Sequence, residues 1–269
     1  MTRPIPIKRS EHLNAGYTPS NNLSFAATMA TVPVLKDELP HLTQFMGVAF
    51  QKRQAGNETL FELVGVQSIH PDRNLFIVGD GRWLTGYKPA FYRAGPFSLQ
   101  PSDSGKELQL CIQPDSIKEE PQEGDQRFFD DEKTLTGQLQ AMAKFLASVI
   151  EGRQKTLALC KLLDAQQLIT PWSIRFKETD EQGKSVEKSM EGLYHIDSEA
   201  LAALSGEALE QLNRSGALGI AYAQLHAEGR VTDLGALLKV HKEQAKQNTA
   251  TAELDLDDLF GGDDELMSF

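Results

Sequence analysis

Three places in this chain gather residue types that can do chemistry. His70-Pro71-Asp72 is an H-x-D triplet at the end of an apolar run. With a second histidine from elsewhere, His195 or His226, a histidine and a carboxylate at this spacing can hold a non-haem iron and leave positions open for oxygen and substrate. The same residues make an ordinary turn, since Pro-Asp favours chain reversal, so a metal-dependent oxygenase stands beside a plain bend. In the second place, Trp83, Tyr87, Tyr92 and Arg93 combine aromatic faces with a guanidinium. Such a set can stack a planar or peptide ligand and pair with its carboxylate or phosphate. It can equally be an aromatic mini-core with an arginine lying over a ring. The third place, His195-Ile196-Asp197-Ser198, holds every residue type of a hydrolase triad. Neighbours in sequence cannot point at one another as a triad requires, so a strand end followed by a helix cap is expected there.

No P-loop, dinucleotide fingerprint or zinc spacing is present, and Gly79-Asp80-Gly81 reads as a turn rather than a phosphate cradle. No cofactor is expected.

The elements that must position these residues are legible from periodicity. Residues 1–23 are rich in Pro, Ser, Asn and Gly and read as an extended arm. Met46–Phe50 and Leu60–Val66 are strand-like around a turn at Ala55-Gly56-Asn57-Glu58, which predicts a hairpin. Asn74–Val78 and Arg82–Thr85 predict a second hairpin around the glycine turn, and Phe97–Gln100 with Leu108–Gln113 extend the meander. From Thr134 the apolar period changes to three and four residues, predicting one helix through Val149 and another over Leu157–Leu168. Strands follow at Trp172–Phe176 and Glu191–Ile196, then helices capped by Asp197 or Ser198 and by Ser205, with Gly216 beyond the second. Two further helical stretches, Leu218–Ala227 and Asp233–Lys246, follow. The expected fold is α+β: an N-terminal antiparallel meander packed with a helical C-terminal third.

Residues 74–97 carry six aromatic residues, Phe76, Trp83, Tyr87, Phe91, Tyr92 and Phe97, too dense a set for a surface loop. Their order resembles the SapC family: Asn74-Leu75-Phe76, the Asp80-Gly81 turn, Trp83, Tyr87-Lys88-Pro89-Ala90, Arg93 and Pro96-Phe97. Gly192–Leu225 is similar to that family's C-terminal block, and Val32-Pro33 with Glu38 fit its usual start. Ala94-Gly95 break the doubled arginine-aromatic that precedes Pro-Phe, so no role needing two adjacent arginines carries over. His226-Ala227 replace the usual Ser-Leu. The resemblance implies an accessory role, since family members are often encoded beside TonB-dependent receptors, halogenase-like flavoproteins and cupin-like oxygenases. It also implies one α+β unit over residues 24–246.

Bulk properties exclude several classes. No apolar run approaches the ~18 residues of a membrane helix, and the N-terminus lacks the apolar core of a secretory signal. Cys111 and Cys160 lie far apart without a CxxC, as expected of reduced thiols in a cytoplasmic protein. The net charge is −11, and a net-acidic chain without a Lys/Arg stripe is a poor match for nucleic acid. After Lys246 there is no cation, while Glu253, Asp255, Asp257, Asp258, Asp263, Asp264 and Glu265 alternate with apolar residues. Residues 247–269 therefore read as a disordered acidic-hydrophobic tail. Its Leu259, Phe260 and Phe269 are candidates for docking on an unidentified protein partner. Together these readings point to a cytoplasmic accessory protein that recognises a peptide or small ligand near Trp83, Tyr87, Tyr92 and Arg93. The oxygenase using His70 and Asp72 is the rival.

Overall fold

The computed structural model describes residues 3–102, 104, 105, 107–179, 185–241 and 243. The strands are β1 (Ile5–Pro6), β2 (Gly16–Tyr17), β3 (Thr31–Pro33), β4 (Gly47–Ala55), β5 (Glu58–Val66), β6 (Phe97–Pro101), β7 (Leu108–Ile112), β8 (Ile117–Lys118), β9 (Gln126–Arg127), β10 (Ile169–Thr179) and β11 (Ser185–Ile196). The helices are α1 (Arg9–His12), α2 (Leu39–Leu42), α3 (Ala90–Arg93), α4 (Gly137–Ala165), α5 (Ser198–Ala202), α6 (Gly206–Ser215) and α7 (Ala217–Ala227). Antiparallel sheets dominate the first part of the chain and helices the last, as the α+β expectation requires.

The main sheet has the order β10-β11-β4-β5-β3. Its centre is the hairpin β4/β5, paired from Gly47↔Val66 to Ala55↔Glu58, with Gly56 at φ 62° supplying the left-handed turn residue. The base of the hairpin is buried on both faces and its tip is exposed. Gly65 makes that base fit: a Cβ there would collide with the Met46 sulfur. Phe50, Leu63, Phe76, Leu163, Ile196 and Ile220 are among the buried residues of this larger core.

A second core forms from Ala15, Tyr17, Phe97, Ile112, Phe128 and Leu139, under the sheets β1-β7-β6 and β8-β2-β9. Residues 5–17, expected as part of an extended arm, are thus built into it. Strands β6 and β7 also differ from expectation. They pair with each other, β7 also with β1, and do not continue the meander, because α3 and Gly95 at φ 58° turn the chain away first. The expected hairpin at 74–85 contracts to a single bridge, Ile77↔Trp83. Its turn carbonyls are spoken for by the N-terminal segment: Leu23 N–H donates to Gly81 O and Asn22 Nδ2 to Asp80 O.

The two helices expected between Thr134 and Leu168 are one, α4, which spans roughly 44 Å at 1.5 Å per residue. The polar run Glu151-Gly152-Arg153-Gln154 suggested a break. Instead it contacts neighbours: Arg153 pairs with Glu62, and a Cβ on Gly152 would lie 3.2 Å from Leu35. Leu139 and Leu146 of α4 enter the second core, while Cys160 and Leu163 enter the first. The expected caps are present. Asp197 accepts from the amides of Glu199 and Ala200, Ser205 accepts from Ala208, and Gly216 ends α6 at φ 84°. A 3-10 segment, Glu228–Asp233, leads into helical residues 234–241. No helix among the described residues is long and apolar enough to cross a membrane.

Candidate functional site

Two of the residues singled out in 74–97, Tyr87 and Arg93, meet at a carboxylate contributed from 49 and 55 residues earlier in the chain. Glu38 is the last residue of the 3-10 turn Lys36–Glu38 and is 4% exposed. Its Oε1 accepts from the amide of Ala90 at 2.6 Å, the Tyr87 hydroxyl at 3.0 Å and Arg93 Nη2 at 3.3 Å. Its Oε2 accepts from the amide of Leu35 at 3.0 Å. Arg93 Nη2 also donates to the Tyr87 oxygen at 2.8 Å, closing a triangle of carboxylate, phenol and guanidinium. Burial, reinforced by the Glu38 charge and opposed by Arg93, pushes the Tyr87 hydroxyl up to about 12. It therefore stays protonated and donates at neutral pH.

The four predicted residues divide by role. Tyr92 is buried, and its hydroxyl donates to Gln67 Oε1 at 2.7 Å; burial raises it also to about 12. Trp83 is half-buried, stacks on Phe76 at 5.2 Å and donates its indole N–H to the Tyr87 carbonyl at 2.9 Å. Both are committed to the interior. Tyr87 and Arg93 face outward. The Arg93 side chain is 40% exposed and lies over the rings of Tyr87 and Phe145 at 5.3 and 5.6 Å. Among the described residues its Nε and Nη1 have no partner.

This guanidinium stands in a strip that sequence reasoning did not find. His41 stacks on Tyr87 at 5.8 Å, and exposed Phe45 lies against Gly86, where a Cβ would be 3.2 Å from the Phe45 ring. Phe45 lies in the turn that follows α2, which carries His41. The strip runs Phe45, Gly86, Tyr87 with His41, Arg93, Phe145. Spacing pointed to neither Phe45 nor His41, and Glu38 entered only through the family resemblance. With Glu38 engaged by four donors, the strip presents a guanidinium, the exposed imidazole of His41 and aromatic rings at one surface. What it can do is hold a charged, planar donor group in place at a surface.

The other candidates lie elsewhere. His70, Pro71 and Asp72 form a turn with Asp72 at φ 60°, and the His70 ring meets Phe176 edge-on at 5.5 Å. Among the described residues no group of three or more His, Cys, Asp and Glu side chains is placed to hold a metal ion. His195 instead bonds Glu228 through Nδ1 at 2.9 Å and stacks on Trp172 at 5.6 Å. Gln224, fully buried, ties this pair to the main sheet. Its amide nitrogen reaches Glu228 and the Val48 carbonyl, and its oxygen accepts from the amide of Ile196. Asp197 and Ser198 are spent on the helix start. Both cysteines are free and buried, and burial raises each thiol, Cys160 to about 12, so neither is a nucleophile at neutral pH. An open cleft of about 1270 Å³ is lined by Lys8, Arg9, Glu11, Asn14, Glu119 and Lys133, and by none of the four predicted residues. Leu259, Phe260 and Phe269 lie outside the described residues.

No curated protein and no solved structure gives a significant match to this sequence. A family model described as SapC matches residues 7–234, nearly the whole length and both of the resembling blocks, and the chain belongs to the SapC family.

Proposed function

We propose that this chain is a cytoplasmic accessory protein that binds a carboxylate- or phosphate-bearing peptide on the Arg93 strip. Through residues 253–269 it recruits a protein partner. The observation that carries the reading is the preset state of Arg93. One face of its guanidinium is held by Glu38 and Tyr87, and its remaining donors are open among half-buried and exposed aromatic rings. A guanidinium already ordered loses little freedom on pairing with an anion, and flanking rings supply apolar contact around it. Trp83 and Tyr92 brace the strip from inside rather than touching the ligand.

The test is selection from a phage-displayed random peptide library on the intact chain. Peptides rich in Asp, Glu or phosphomimetic residues next to an aromatic or aliphatic residue should be enriched. Phe45→Ala, an exposed position, should weaken their binding about ten-fold, or 1.4 kcal/mol, without moving the melting temperature. Enrichment of basic or charge-free peptides, or binding indifferent to Phe45→Ala and His41→Ala, would remove the strip from the function.

A further inference from the structure

A second exposed aromatic patch lies on the other side of Tyr92. Phe25 and Phe91, 39% and 44% exposed, both meet the buried Tyr92 ring edge-on, at 6.0 and 5.8 Å. Phe91 and Arg93 are two residues apart on a helical turn, so they point to different sides and this patch is separate from the Arg93 strip. Two exposed phenyl rings, each against the same buried tyrosine, are apolar surface with no covering element among the described residues.

The end of the described chain arrives beside this patch. His241 Nε2 lies 3.0 Å from the Leu75 carbonyl. The preceding residue, Asn74, donates its backbone amide to Ala27 O and its side-chain amide to Ala26 O, fastening the segment at Leu75 to the turn that carries Phe25. From Glu243 the sequence runs on for a further 26 residues. An extended chain covers at most ~3.6 Å per residue, so Leu254 lies within roughly 40 Å of the exit and Phe260 within roughly 61 Å. The contacts from His241 to Leu75 and from Asn74 to Ala26 start that reach next to the turn carrying Phe25. Charge agrees with this placement. The tail carries seven acids and no cation after Lys246, while residues 72–93 carry Arg73, Arg82, Lys88 and Arg93 against Asp72 and Asp80. Arg73 and Arg82 are exposed, Arg82 sharing a loose pair with Asp80 at 3.7 Å.

We infer that residues 253–269 dock back on the Phe25–Phe91 patch of their own chain, with leucine and phenylalanine side chains on the two rings and the acids toward Arg73 and Arg82. A tether this short holds the segment at an effective concentration near millimolar, so even a weak contact is occupied most of the time. A protein partner that takes the tail then has to displace it from the patch, and an occupied patch lowers the tail's apparent affinity for that partner.

The probe is a fluorescein-labelled peptide of residues 252–269, followed by anisotropy at low salt. Its acceptors are the full chain and a full chain carrying Leu259→Ser, Phe260→Ser and Phe269→Ser. The altered chain, with its patch vacated, should bind the peptide about ten-fold or more tightly than the native chain. Added Phe91→Ser or Phe25→Ser should abolish that binding, and rising salt should weaken it. Equal affinity for both chains would overturn cis docking, and so would binding that survives both patch substitutions. A native chain that is dimeric by light scattering, where the altered chain is monomeric, would place the tail on a second copy and likewise overturn it. None of these outcomes bears on the Arg93 strip, which the library selection tests separately.

Discussion

Glu38 and Glu228 are two glutamates that each collect partners from distant parts of the chain, and they differ in how much water reaches them. Glu38 is 5% exposed along its side chain and satisfies two backbone amides, a phenol and a guanidinium. Glu228 and its partner His195 are 29% and 28% exposed, and the remaining ligand is a single glutamine amide. At Glu38 the buried Ala90 amide has no solvent to replace the carboxylate, whereas Arg93 keeps access to water. At Glu228 water can take over what the protein loses. The first cluster sets where α3 and Arg93 sit; the second closes the seam between β11 and the segment after α7.

The comparison breaks most directly at Glu38. Glu38→Ala strands the buried Ala90 amide and the Tyr87 hydroxyl and leaves Arg93 without its counter-charge. It should cost about 3 kcal/mol, the low end for a broken buried pair because Arg93 retains access to water. Urea denaturation measures this, and a loss below 1 kcal/mol would show that the cluster is wetter than its geometry implies. Alkaline titration sharpens the same point. Tyr87 and Tyr92, both raised to about 12, should ionise well above the ordinary tyrosine value of about 10. Because the folded values lie above the unfolded value of about 10, the stability they contribute is complete below about pH 10 and is lost as pH climbs toward 12. Ultraviolet difference titration would follow the phenolates. In Glu38→Ala the Tyr87 midpoint should fall only partway, since burial is the larger cause. The smallest effect belongs to the second cluster. Glu228→Gln should cost about 1 kcal/mol or less, because the new amide can still accept a hydrogen bond and the lost charge was screened. A loss matching that of Glu38→Ala would erase the distinction drawn between the two sites.

What could be read in the sequence was local. The Gly56 turn, the Asp197 and Ser205 caps and the Gly216 stop each depend on residues within a few positions, and each is where it was expected. Density of aromatics in 74–97 correctly signalled a partly buried platform. Sequence did not show which rings would be inside: Tyr92 is buried and its neighbour Phe91 is among the exposed large apolar residues. That division depends on Gln67 and Asn74, whose hydrogen bonds orient the platform against the turn at Ala26. Glu38 was equally illegible as a hub, because 55 residues separate it from Arg93 and nothing local marks a carboxylate that will be buried. The continuity of α4 was missed for a related reason. A polar interruption in a helical period reads as a break unless its partners, here Glu62 and Leu35, are known.

That unbroken helix has a mechanical consequence. With Leu139 and Leu146 seated in one core and Cys160 and Leu163 in the other, α4 is a stiff beam fixed at both ends and pinned midway, where Thr156 receives the Lys36 amide. Phe145, against the Arg93 guanidinium, and Leu163, in the core of the main sheet, thus belong to one continuous element, held between them by the 3-10 turn that carries Glu38.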